Sequence, residues 1–137
     1  MPGIQLVRED FIEIAYDTEE TWLHVTWKGY QTVGSVQEGC EQMLVWLTAY
    51  QTDRVLNDNT QVLGIWQGAA AWLATNWFPR MQQAGLQRFA WVYSPSRFSQ
   101  VSTDTTLALM DADAVGVRVF SNLTEATTWL RQRPHRA

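Results

Sequence analysis

After an opening pair of β-rich segments the chain alternates extended and helical stretches, and this alternation constrains its fold more than any other feature. Residues 11–16 are β-branched and aromatic, residues 17–20 are a polar turn, and residues 21–27 are a second β-rich run. Together they predict an antiparallel hairpin. A helix is predicted over 33–51, where Val36, Cys40, Met43, Leu44 and Leu47 recur at helical spacing. Gly34 and Gly39 are poor helix residues, so its first turns are expected either to fray or to pack closely. A short strand at 54–57, a loop at 58–65, a helix from 66 and a strand at 88–93 follow. Pro79 cannot sit inside a regular helix, so a kink is expected there, with Gly85 capping the last turn. Ser94 and Pro95 predict the start of a weak helix over 96–110. Residues 115–120 read as a strand. Asn122 and Glu125 have capping-box spacing ahead of a final helix in which Ala126, Trp129 and Leu130 face inward.

The order β-β-α-β-α-β-α-β-α predicts an α/β fold with a five-stranded, mostly parallel sheet and one antiparallel edge strand. No repeat or linker divides residues 1–137, so a single domain is expected, with its core at about 10–132 and loose ends at 1–5 and 131–137. Leu23, Val25 and Trp27, with Val115, Val117 and Val119, are expected to face helices. Glu13, His24, Thr26 and Arg118 are expected on a wetter, half-open face.

Charge narrows the partners. Ten basic and fourteen acidic side chains leave −4, which argues against a nucleic-acid binder and against a polybasic membrane tether. No apolar window approaches the length of a membrane span. The first residues do not read as a signal peptide, and the lone Cys40 fits a reducing cytoplasm, so a cytoplasmic location is expected. Eight tryptophans are more than a core of this size usually needs. They read first as core and rim residues, and second as an aromatic pocket or a contact surface.

Catalytic constellations are sparse. Cys40 with His24 as its base is the one nucleophilic pairing on offer, and Cys40 falls on the apolar stripe of a helix, where thiols are inert. There is no nucleophile elbow and no phosphate-cradling glycine loop at Gly64 and Gly68. His24 and His135 are the only histidines, and Asp111 with Asp113 reads as a solvated turn rather than a metal site. Glu13 and His24 read as a surface pair. The chain is therefore expected not to be an enzyme and to need no cofactor.

Several short segments resemble the STAS domains, and more closely a bacterial STAS/SEC14-like (SpoIIAA-like) branch. They are residues 54–59, 77–79 with 84–86, 89–92, and Val119-Phe120 followed by Glu125-Ala126 and Trp129-Leu130. The resemblance spans residues 10–132. It implies sequential β-α units and regulatory binding rather than catalysis. It also implies a phosphorylatable serine after the third strand. Here the matching stretch is Asp58-Asn59-Thr60, with Asn59 in the serine's place and Thr60 one position late.

Two functions follow as expectations. The first is a regulatory or protein-interaction domain whose partner is another protein, a second copy in a homodimer being one candidate. Its contact residues would be Asp58, Asn59, Thr60 and Trp72. The second, implied by the SEC14-like side of the resemblance, is a carrier of a small apolar, lipid-like molecule in a cleft lined by Trp66, Trp77 and Phe78. Positions 66, 69, 73 and 77 share one helical face, with Trp72 rotated away from it.

Overall fold

The computed structural model describes residues 3–111 and 116–132. Six strands form one mixed sheet in sequential order: β1 (Gly3–Arg8), β2 (Ile12–Asp17), β3 (Trp22–Tyr30), β4 (Arg54–Leu63), β5 (Arg88–Val92) and β6 (Val117–Phe120). β1 to β3 pair antiparallel and β3 to β6 pair parallel. The α/β alternation stands, but the sheet has six strands rather than five, and the one reversed strand, β2, is internal rather than at the edge because β1 pairs beyond it. The added strand is β1, in a segment expected to be loose at its start. Only Ile4, Leu6 and Val7 are apolar there. That pattern is too short to predict a strand by itself, and the edge of β2 supplies the partner that completes it.

Four helices are seen among the described residues: α1 (Val33–Tyr50), α2 (residues 67–83), α3 (Arg97–Ala108) and α4 (Leu123–Arg131). With strands in sequential order, right-handed crossovers all fall on the same face of a sheet. The main core accordingly lies on one face, where Ile14, Val25, Val55 and Phe89 meet Met43 and Leu47 of α1, Trp77 of α2 and Leu107 of α3. We call this the inner face. α4 follows β6 and packs on the outer face against Trp22, Leu56, Ala90 and Val92 through Ala126 and Leu130. It touches β4 to β6. Glu13, His24 and Thr26, on the antiparallel half of that face, stay partly exposed and Arg118 exposed, the half-open arrangement expected from the strand patterns.

Local signals account for the helices. Thr32 caps α1: its Oγ1 accepts from Ser35 N at 3.0 Å, and Ser35 Oγ accepts from Thr32 N at 2.9 Å. Gly39 marks close packing rather than fraying, since a Cβ there would lie 2.4 Å from Trp27 Cη2. In α2 a 3-10 turn (Gln67–Ala69) and one α turn (Ala70–Trp72) lead into a π turn (Leu73–Trp77) and a final α segment (Phe78–Gln83). The π turn is how the chain accommodates Pro79. Phe78 N–H donates to Leu73 O, so the extra residue is absorbed before Pro79, which then opens a segment where its missing N–H costs nothing. Gly85, at φ +113°, ends α2 as expected. Gly85 N–H donates to Gln82 O and Leu86 N–H to Met81 O, the paired bonds of a Schellman cap.

The expected loop at 58–65 is largely strand. β4 continues to Leu63 because Lys28, Gly29 and Tyr30 of β3 pair with Gln61, Val62 and Leu63, past a register shift between Thr26 and Lys28. Turn-favouring Asn, Asp and Thr hid this extension. At the other end, Arg131 closes α4 instead of starting a tail. Val115, Asp113, Pro134 and His135 lie outside the described residues.

Candidate functional site

Asn57 is the residue that least fits its surroundings. It lies on the inner face of a central strand, between Trp27 on β3 and Trp91 on β5, and is 3% exposed. A buried polar group there must be paired or it destabilises the fold. Trp27 Nε1 donates to Asn57 Oδ1 at 2.8 Å, and Asn57 Nδ2 donates to Asn59 Oδ1 at 3.2 Å. The two asparagines form a short polar ridge within an aromatic layer.

That ridge borders a cavity of about 30 Å³ between the sheet and helices α1 and α2. Trp27, Trp66, Trp77, Phe78, Phe89 and Trp91 give it six aromatic walls. Trp66 and Trp91 lie nearly parallel, 5.9 Å between centroids at 19°, while Phe78 and Phe89 meet edge to face at 5.1 Å. None of its lining side chains is an Asp, Glu, Lys, Arg or His. Gln31, Trp27 and Trp66 keep the most residual exposure of the lining, 8%, 6% and 6%, which sets the mouth between the start of α1 and the start of α2. The free space matches one or two water molecules.

Each wall is fixed differently. Trp77 Nε1 donates to Cys40 O at 2.8 Å, tying α2 to α1. Trp66 is held by α3: its Nε1 donates to Ser99 Oγ at 2.9 Å and its backbone N–H to Ser102 Oγ at 3.0 Å. Trp91 Nε1 is buried without a partner. Cys40 lines the cavity with its thiol pushed well above the usual range, first by burial and then by Glu41, so it stays protonated and unreactive.

Trp66, Trp77 and Phe78 all line this cavity, with Leu73 of the same helix. Trp72 does not. It is half-buried at the edge of the core, with the Arg80 guanidinium 5.8 Å from its ring centroid. Asp58 and Asn59 are buried at 6% and 4%, on opposite faces of β4, and Thr60 is exposed beside them. Asp58 Oδ1 accepts from Thr60 N at 2.8 Å, which secures the register shift. The four residues Asp58, Asn59, Thr60 and Trp72 therefore do not share one surface. Cys40 and His24 lie on opposite sides of the sheet. Burial lowers the His24 imidazole below its usual pKa, against a pull upward from Asp58 and Asp17. No group of three or more His, Cys, Asp or Glu converges among the described residues, and no helix among them is long and apolar enough to cross a membrane.

Sequence reasoning missed Asn57, Trp27 and Trp91 as site residues. A signal existed: Asn57 stands at an inward position of a strand, in step with Val55. No family model, curated protein or solved structure matches the chain.

Proposed function

We propose that this chain is a non-catalytic binding domain that holds a small, largely apolar molecule between the inner face of its sheet and helices α1 and α2. The observation that carries this is a buried cavity with six aromatic walls, no ionisable wall apart from a protonated thiol, and a buried donor, Trp91 Nε1, left unpaired. Burying an unpaired donor is unfavourable, and a ligand atom that accepts from it relieves that cost. The space must grow to take a ligand, because it is far smaller than an apolar cavity of about 150 Å³ that binds benzene. Movement of Trp66 with α3 provides the room. The STAS/SEC14-like resemblance supports the same reading through its carrier side, and the lone buried cysteine suits a cytoplasmic carrier.

Tryptophan fluorescence on titration with small aromatic compounds tests this reading, using Val36→Ile as the control. Val36 lines the cavity, and one added methylene about fills its free space. The expected result is saturable quenching in the parent chain and clearly weaker quenching in Val36→Ile, whose added methylene takes up part of the space a ligand must share. Equal quenching in both would remove the cavity from consideration.

A second reading, a protein-interaction domain, has its own observation. Tyr30, 76% exposed, pairs across the β3–β4 extension with exposed Leu63, and Val33 and Ile65 nearby are exposed as well. Apolar groups gathered at a projecting ribbon favour a contact surface, self-association included. Analytical ultracentrifugation of Tyr30→Ser with Leu63→Ser tests it: a parent dimer that becomes a monomer supports the reading, and a monomeric parent opposes self-association.

A further inference from the structure

The hydrogen-bond polarity of the cavity defines the chemistry of its ligand, an inference that rests on the cavity being the binding site. An indole N–H can only donate. Trp27 Nε1 therefore fixes which way the Asn57 amide faces: Oδ1 toward the indole, Nδ2 away from it. Asn57 Nδ2 then donates to Asn59 Oδ1, which fixes the second amide in turn. The chain runs one way and ends on Asn59 Nδ2, a donor with no partner among the described residues. Trp91 Nε1 is a second donor without one.

The other polar side chains around the cavity are committed. Trp66 Nε1 and Trp77 Nε1 donate to Ser99 Oγ and Cys40 O. Gln31 Nε2 donates to Lys28 O and Phe11 O, and its Oε1 accepts from Ser35 Oγ. The amide and indole groups left without any partner are thus both N–H. A hydrocarbon would leave the buried Trp91 Nε1 unsatisfied and, by covering Asn59 Nδ2, would take that donor out of reach of water. A carboxylate would satisfy them but would be buried with no cation among the lining side chains.

We propose that the ligand is a small, neutral, planar molecule that presents a carbonyl or equivalent acceptor to Asn59 Nδ2 and Trp91 Nε1, with the chemistry of an aromatic ketone, quinone or lactam. Its flat apolar body lies against the indole and phenyl walls. Its acceptor ends the one-way chain that begins at Trp27.

Three bicyclic probes of matched size test this: 1-indanone, indane and indane-1-carboxylate, titrated at neutral pH and read by tryptophan fluorescence. Indanone is expected to bind about tenfold more tightly than indane, the ratio that one net hydrogen bond supplies, and the carboxylate to bind more weakly than either. Asn59→Leu should at least halve the preference for indanone over indane, the remainder resting on Trp91 Nε1. Trp91→Phe keeps the ring and removes the N–H, so it should halve or better the indanone preference should Asn59→Leu fail to fold. Equal binding of indanone and indane would overturn the acceptor requirement while leaving the cavity as the site, with water satisfying both donors. Tightest binding by the carboxylate would overturn neutrality. Failure of all three to bind would overturn the site and the ligand class together.

Discussion

Helices α1 and α3 pack on the same side of the sheet but are held by opposite means. α1 buries Val36, Cys40, Met43 and Leu47, while α3 buries Ser99, Ser102, Thr103 and Thr106. The first set contributes large apolar areas and close van der Waals contact. The second contributes hydroxyl hydrogen bonds, each of modest net worth. Thr106 Oγ1 and Ser102 Oγ give their protons back to Ser102 O and Phe98 O within the helix, so Ser102 meets Trp66 only as an acceptor. α1 is thus a fixed wall of the cavity. α3 is a weakly seated element that reaches the cavity through Trp66. Openable walls come from the low-stability parts of a fold, and this pair shows how one fold makes both kinds.

The comparison breaks first at Met43. Met43→Ala in the fixed wall removes a fully buried side chain and should cost about 2–5 kcal/mol in urea unfolding. A loss near zero would mean that α1 is no more firmly seated than α3. Gly39→Ala should cost about 1–3 kcal/mol, because the added methyl meets the Trp27 ring. The same assay reads it, and an unchanged midpoint would show that Trp27 can shift freely.

Ser102→Ala sharpens the comparison from the other side. It leaves Trp66 N–H without its acceptor, at a cost of about 1–3 kcal/mol. The effect should be local: amide exchange speeds up at 64–69 and along α3, while that of α1 is unchanged. Cys40 reports the same opening. In the parent chain its buried thiol should react with a disulfide reagent only slowly, and Ser102→Ala should accelerate the reaction. Equal rates in parent and variant would place the opening elsewhere.

Alkaline pH gives the smallest and most selective effect. Tyr93 OH donates to Asp104 Oδ1, joining the end of β5 to α3. Burial and Asp104 together raise the phenol from the ordinary 10 to about 12. The folded state therefore keeps its proton while the unfolded chain loses it. The contribution of this contact is present below pH 10 and is lost as pH rises toward 12. Phenolate absorbance should show a late-titrating component near pH 12 that Tyr93→Phe removes, and exchange in α3 should quicken over that interval before exchange in α1. A titration unaltered by Tyr93→Phe would exclude this contact.

Periodicity alone determined a good deal. The apolar stripe of α1, the inward set at 66, 69, 73 and 77, the Gly85 cap and the two faces of β3 were all legible, because each depends on residues within a turn or two of one another. Asn122 likewise caps α4, accepting from Glu125 N at 2.9 Å. Tertiary structure decided what depends on distant partners. β1 exists because β2 has a free edge, and β4 runs on to Leu63 because β3 continues beside it. The π turn before Pro79 reconciles a proline with a helix that must carry both Leu73 and Phe78 to the core. Asn57 became a site residue only when Trp27, thirty positions away, gave it a donor. Local patterns fix which way a side chain faces. What it meets there is decided by strand pairing and helix packing across the whole chain.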